Sequence, residues 1–254
     1  MSRLLLLDGH SLAYRAFFAL PAENFSTVTG QHTNAVYGFT SMLVNVLRDE
    51  QPTHLAVAFD VSRKTFRSEE YAEYKATRSA TPSEFQGQVA LVREVLDALK
   101  IKHVQLDGFE ADDVIATLTT QATAQGMDVV ICTGDRDAFQ LVTDKVTMYD
   151  TMKDKRLGVP EVFEKFGVTP DKVVEVQALA GDSVDNVPGV PGIGIKIAAQ
   201  LINEYGDLET LLTRASEIKQ PKRRESLIEH AEKARISRQL VLLDDKVALD
   251  VPLD

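Results

Sequence analysis

Short uninterrupted runs of Leu, Val and Ile punctuate the first part of the chain: "RLLLL" at 3–7, "HLAVAF" at 54–59 and "DVVICT" at 128–133. Each is bounded by polar residues and is too short for a buried helix, so each reads as a strand covered on both faces. "KHVQL" at 102–106 and "KVTMY" at 145–149 fit the same template with fewer apolar residues. Between them, "AVYGFTSMLVNVLRDE" at 35–50, "EFQGQVALVREVLDAL" at 84–99 and "DDVIATLTTQATAQG" at 112–126 carry helical periodicity. Strand alternating with helix predicts an α/β fold with a parallel sheet and helices on both faces. From about residue 160 the strand pattern stops. "VPEVFEKFG", "DKVVEVQALAG", "GIKIAAQLINEYG", "DLETLLTRA" and "RESLIEHAEKARISRQLVLL" all read as helices, several closed by Gly. Two domains are expected, an α/β part over 1–170 and a helical part over 171–254, with no long-period repeat.

Composition narrows this little. Hydrophobic residues make up 44% and charged residues 26% of the 254, ordinary values for a globular chain. The single cysteine, Cys132, excludes an intrachain disulfide framework and a cysteine-rich zinc site. Asp8 ends the N-terminal Leu run before a signal-peptide core is complete, and no apolar stretch approaches a membrane span. The expectation is a soluble protein of a reducing compartment.

The acidic residues change the picture. "GFEADDVIATL" sets Glu110, Asp112 and Asp113 at the start of a helix that is otherwise apolar. Two like charges at about 5 Å repel by roughly 3 kcal/mol even at an effective dielectric near 20. A solvated helix N-terminus, where the dipole favours carboxylates, would account for them in isolation. They are not isolated, however. Asp8 follows the first predicted strand, Asp60 the second, Glu110 comes soon after the "KHVQL" run, and Asp135 and Asp137 follow the fourth. One Asp after a strand is often a helix cap or a turn residue. Repetition after four strands is harder to explain so, because the carboxyl ends of parallel strands share one edge. Gathered there, the carboxylates would oppose one another unless cations neutralise them. With only oxygen ligands and no Cys or His at ligand spacing, Mg²⁺ or Mn²⁺ suits the set better than zinc. Two such ions can activate water and stabilise the leaving oxygen of a phosphodiester. No Walker A pattern occurs, and the nucleophile strand of an aspartate-dependent phosphatase would need Asp where His10 stands.

"GDSVDNVPGVPGIGIKIAAQL", 181–201, holds Gly189, Gly192 and Gly194 with Pro188 and Pro191, then Lys196 at a helix start. A glycine turn that presents N–H groups at a helix N-terminus, followed by Lys, suits a phosphodiester backbone and reads no base sequence. Upstream, Asp182 and Asp185 stand one helical turn apart and join the candidate metal ligands. Positive charge gathers in "SRKTFRSEEYAEYKATR", 62–78, directly after Asp60, and in "KQPKRRESLIEHAEKARISRQ", 219–239, which reads equally well as a solvated face. The formal net charge of −10 at first argues against a nucleic-acid partner. Nine of those charges are the candidate ligands Asp8, Asp60, Glu110, Asp112, Asp113, Asp135, Asp137, Asp182 and Asp185, and removing nine from −10 leaves −1. Nucleic acid is admissible.

With these residues in view the chain closely resembles the bacterial 5′-nuclease (flap endonuclease) family, as in the N-terminal 5′-3′ exonuclease domain of DNA polymerase I. The likeness runs through "LLLDGHSLAYRAFFALP", "TNAVYGFTSML", "AFDVSRKTFR", "YAEYKATR", "GFEADDVIATL", "TGDRDAFQLV" and the glycine segment, in the family's order. It implies a PIN-like parallel-sheet nuclease core, a helical arch at about 62–90, and a helix–three-turn–helix DNA-binding element at about 181–201 in the C-terminal helical subdomain. The family's arch Lys and Arg fall on Lys75 and Arg78 as catalytic residues, and Arg15 and Phe18 on contacts to the junction of duplex arms. Gly189, Gly192, Gly194 and Lys196 fall on the duplex grip, with K⁺ as a further ion there. The resemblance implies a monomeric, metal-dependent 5′-3′ exonuclease and flap endonuclease of the bacterial cytoplasm and nucleoid. Its substrate would be DNA with a 5′ flap or branch, its setting replication and repair, and a polymerase domain would stand in the same or a separate chain. Two other readings compete. A non-catalytic DNA-binding module would not need the carboxylates, and a PIN-type ribonuclease would not need the glycine turn.

Overall fold

In a computed structural model that describes residues 2–252, Leu4 to Leu7 are all buried in β1 (Arg3–Asp8). A strand with no solvated face belongs in the middle of a covered sheet. β1 indeed pairs in parallel with β2 (His54–Ala58) on one side and β4 (Asp128–Cys132) on the other. The six-stranded sheet has the order β3-β2-β1-β4-β5-β6, with β3 at Lys102–Val104, β5 at Val146–Asp150 and β6 at Lys155–Leu157. All neighbours are parallel except β6, which turns back on β5. The antiparallel edge strand departs from the all-parallel expectation. It is three residues long, polar and half exposed, so it carries no apolar run.

Alternate residues of the strands feed two cores. Leu5, Leu7, Val57 and Val130 face α1 (Gly9–Ala19), α2 (Asn34–Glu50) and α4 (Gln88–Ala98). α2 turns Ala35, Phe39, Leu43 and Val46 inward at helical spacing. A buried polar clasp fastens these three helices: Asn34 donates to the Phe17 and Leu20 carbonyls, and Gln88 donates to Asn34 Oδ1 at 2.8 Å. Leu4, Leu6, Ala56, Val129 and Ile131 face α5 (Ala111–Ala124). That second core continues without a break into the C-terminal helices α6 (Val159–Phe166), α7 (Val173–Ala180), α8 (Ile195–Tyr205) and α9 (Leu208–Thr213). The helical part is thereby held at one side of the sheet. The expected single helix near the C-terminus is two, α10 (Pro221–Glu229) and α11 (Ala231–Val241), broken at His230.

The chain runs out from β1 to β3 on one side, then returns to β4 on the other side of β1. Strand order reverses at the carboxyl ends of β1 and β4, where open α/β sheets leave a crevice.

Candidate active site

Asp8 closes β1 and caps α1, its Oδ1 accepting the Ser11 N–H at 3.0 Å. Its Oδ2 accepts from Thr133 Oγ1 at 3.0 Å, and the same hydroxyl accepts the Asp135 N–H at 3.0 Å. Asp135 Oδ1 in turn accepts the Asp137 N–H at 3.0 Å. One chain of hydrogen bonds thus joins the end of β1 to the loop after β4. Asp60, beyond β2, accepts the Ala111 N–H at 2.8 Å and ties that strand to the start of α5, where Glu110 and Asp112 stand. The sheet brings Asp8, Asp60, Glu110, Asp112, Asp135 and Asp137 to one edge.

Their charges oppose one another there. Burial, the Asp60 carboxylate and Asp135 push Asp8 up to about 7. Burial and Asp135 carry Asp137 up to about 8, against the lowering hydrogen bond from Gln177. Burial, then Asp135 and Asp8, hold Asp112 well above the usual carboxylate range. Asp112 Oδ1 is also buried without a hydrogen-bond partner. An orphaned anionic oxygen among mutually repelling carboxylates fits a hard divalent cation. Among the described residues, no three Asp, Glu, His or Cys side chains surround a common point as they now sit. Basic side chains account for part of this.

Lys75 Nζ lies 2.9 Å from Glu110 Oε1 and 3.8 Å from Asp185 Oδ2, and Arg78 Nη2 lies 2.5 Å from Asp185 Oδ1. Burial alone would lower the Lys75 ammonium, yet Tyr74, Glu110 and Asp185 hold it above its usual range. Lys75 and Arg78 reach the edge from turns and not from a helical arch. In the segment 62–90 the α-helices are α3 (Phe66–Glu70) and the start of α4, and Lys75 has a φ of +55° with its N–H donated to the Asp185 carbonyl. Asp182 and Asp185 likewise share a turn and not a helix face. Asp182 and Val187 exchange backbone hydrogen bonds, and Asp182 Oδ1 accepts the Val184 N–H at 2.7 Å. Asp185 is drawn to the edge through Lys75 and Arg78, whereas Asp182 holds the turn.

Asp113 departs from the ligand set. Fully buried, it takes both prongs of Arg67 at 2.7 Å and accepts the Glu110 and Asp244 N–H groups. Its lone pairs are spent on structure.

The glycine turn, 181–194, joins α7 to α8. Gly189 does not offer its N–H outward, because that group donates to Ser237 Oγ at 2.8 Å. Gly189 instead allows contact between two backbone segments: with a φ of +60°, a Cβ there would lie 2.5 Å from Gly181 N. Gly192 and Gly194 are exposed with open space beside them, α8 has no side-chain cap, and Lys196 is exposed in its first turn. The two glycines and Lys196 thus share one exposed surface at the start of α8. Phe18, in the last turn of α1, is 64% exposed. Arg15 packs on Gly134, where a Cβ would lie 2.5 Å from Nη1, and its Nη2 is 3.4 Å from Asp150 Oδ1.

Residues 3–167 match the family model described as the 5′-3′ exonuclease N-terminal resolvase-like domain, and residues 168–254 match that of the 5′-3′ exonuclease C-terminal SAM fold. The chain belongs to the 5′-3′ exonuclease family. It is 53% identical to DNA polymerase I of Rhizobium leguminosarum over 258 residues, covering 99% of this chain and 25% of that protein. It is 44% identical to DNA polymerase I of Bacillus subtilis, over 98% of this chain and 28% of that protein. The chain therefore spans about a quarter of the length of the curated relatives it matches. Among solved structures, T5 5′-exonuclease with bound zinc superposes with a TM-score of 0.80 at 23% identity, covering 95% of this chain and 90% of that one. A bacteriophage T5 flap endonuclease complex with DNA and metal ions gives 0.77 at 22% identity, over 95% and 89%. At such identities the likeness is one of fold. No helix among the described residues is long and apolar enough to cross a membrane.

Three residues of this 5′-3′ exonuclease family member share the edge without having been singled out by sequence. Thr133 bridges Asp8 and Asp135, Tyr74 donates to Glu110 Oε2 at 3.3 Å, and Gln177 of α7 donates to Asp137 Oδ1 at 2.6 Å. Gln177 leaves a trace in the sequence as an amide inside the apolar run "VVEVQALA". Thr133 and Tyr74 leave none, since neither type is unusual after a strand or in a turn.

Proposed function

We propose that the chain hydrolyses DNA phosphodiesters at 5′ flaps and branches, as a metal-dependent 5′ nuclease serving flap or primer removal in replication and repair. The observation that carries this reading is the buried, unpartnered Asp112 Oδ1 among carboxylates whose acidity is suppressed, with Lys75 and Arg78 against the same edge. Asp8, Asp60, Glu110, Asp112, Asp135 and Asp137 would hold two or more Mg²⁺ or Mn²⁺ ions, with Asp185 joining when Lys75 and Arg78 turn away. When bound, such ions supply an activated water and charge to stabilise the leaving oxygen.

The rest falls to the chain's own groups. Lys75 and Arg78 exchange their carboxylate partners for the scissile phosphate and stabilise the charge that develops on it. Gly192, Gly194 and Lys196 grip a duplex backbone, and K⁺ can add to that grip through backbone carbonyls of the same turn. Phe18 offers an exposed ring to a terminal base pair at the junction, and Arg15 stands on the loop bearing Asp135. The division into a core over 1–170 and a DNA-binding part over 171–254 follows from these roles. The chain works as a monomer in the bacterial cytoplasm and nucleoid, beside a polymerase domain in the same or a separate chain.

A 5′-labelled flap DNA incubated with the protein in Mg²⁺, and in EDTA, tests the proposal. Cleavage near the junction in Mg²⁺ alone is expected. Absence of any metal-dependent product overturns it, and preference for single-stranded RNA turns it toward a PIN-type ribonuclease.

A further inference from the structure

α7 is an apolar helix with two polar residues, Glu175 and Gln177, both buried. Glu175 is accounted for by structure, since its carboxylate accepts the Leu208 N–H and the Arg238 guanidinium. Gln177 is not. Its Nε2 donates to Asp137 Oδ1 at 2.6 Å, but its Oε1 is buried with no partner. A helix selected for packing alone would carry Leu or Met here, because an unpaired buried acceptor works against the fold.

Stability therefore does not explain the amide, and its one hydrogen bond does. Asp137 is carried on a five-residue turn, Asp137–Leu141, and among the described residues no other hydrogen bond restricts rotation of its carboxylate. A neutral donor fixes that rotation and leaves the negative charge in place, whereas a guanidinium would consume it, as Arg67 does for Asp113. The helix that carries this donor ends at Gly181, where the glycine turn begins.

We propose that Gln177 is a positioning residue for Asp137, fixing the carboxylate for a divalent ion. The inference rests on the metal-holding role proposed above for Asp137.

Calorimetric titration of Mn²⁺ into the whole chain tests it, comparing the wild type with Gln177→Met and Gln140→Met. Met keeps the volume of Gln and removes the amide. Gln140 lies on the same turn as Asp137, but its amide serves the Val241 carbonyl and the Leu243 N–H. Gln177→Met is expected to weaken Mn²⁺ binding about 10-fold or more, and Gln140→Met to change it by less than about two-fold. In an Asp137→Asn background, Gln177→Met is expected to add nothing. Should Gln177→Met fail to fold, Gln177→Ser, too short to reach Asp137, carries the same expectations. Equal weakening by both Met variants, undiminished binding in Gln177→Met, or a full effect without Asp137 would each overturn the proposal. A wild type that takes up no Mn²⁺ would instead overturn the metal-holding role, and this inference with it.

Discussion

Arg67 and Asp113 form a two-pronged ion pair, both contacts at 2.7 Å, with the two side chains 1% and 0% exposed. The same guanidinium donates to the carbonyls of Leu240 and Leu242, so it fastens α11 to the nuclease core. Breaking a buried pair of this kind typically costs about 3–5 kcal/mol, because the surviving charge is left without its partner. Asp113→Asn is expected to lower stability by about that amount in urea unfolding. Asp112→Asn, one residue away, is expected to keep or gain stability in metal-free buffer, since it removes one of several opposed charges. Cleavage should reverse the order: retained by Asp113→Asn below its melting temperature, reduced about 100-fold or more by Asp112→Asn. An inactive but stable Asp113→Asn protein would return Asp113 to the ligand set.

The acidic edge also sets a pH dependence. Asp8 and Asp137 titrate from 3.8 in an unfolded chain but at about 7 and about 8 in the folded one. Between those limits the folded state keeps protons that the unfolded state has shed. Their contribution to stability is complete below about pH 4 and is lost as the pH rises through 7 to 8. In EDTA the melting temperature should therefore be lower at about pH 8 than at about pH 4, the span that these shifts cover. Asp135→Asn/Asp137→Asn should flatten the decline and melt higher than the wild type at the alkaline end. It should still bind DNA and no longer cut it. The same decline in the double variant would show that these carboxylates do not set the pH dependence, and its failure to fold would show that they stabilise the molecule as it stands.

How much of this was legible in the sequence depends on what each residue contacts. β1, β2 and β4 announce themselves because burial on both faces leaves only apolar residues. The convergence of Asp8, Asp60, Glu110 and Asp135 follows from strand topology alone. Asp113 looked the same as Asp112 because the difference lies in Arg67 and Asp244, one 46 and the other 131 residues away. The family resemblance implies a helical arch around Lys75. Two ion-pair partners from distant parts of the chain, Glu110 and Asp185, engage it instead in a set of turns. Gly189 was read as one more donor to phosphate, and Ser237, equally remote, takes that N–H. Carboxylates that directly follow strands were readable, and residues defined by a partner remote in the chain, such as Asp113 with Arg67 or Gly189 with Ser237, were not.

Lys196 stands exposed in the first turn of α8, beside the open glycines of the turn. A contact of that kind meets phosphate and no base edge. Lys196→Ala is expected to weaken duplex binding about equally for unrelated sequences and to reduce the salt slope by roughly one unit. Cleavage at saturating DNA should survive. A loss that varies with sequence would point to base readout.

Lys75 and Arg78 should behave differently, because their ion pairs with Glu110 and Asp185 put them at the acidic edge and not in the duplex grip. Arg78 is 42% exposed and Lys75 is 21%, so both can leave their carboxylates for a phosphate that arrives there. A cation aimed at the scissile phosphate gains most as charge builds in the transition state. Removing one such donor typically costs on the order of 10²–10³ in rate. Lys75→Ala and Arg78→Ala are each expected to cut single-turnover cleavage of flap DNA by that order while changing affinity by a few-fold. Each also removes a counter-charge from Asp185, so metal-free melting should fall slightly and Mg²⁺ should restore it. Binding measured in Ca²⁺ beside single-turnover rates in Mg²⁺ separates the two effects. If affinity falls as far as the rate, the two side chains belong to the binding surface, and their catalytic assignment is wrong.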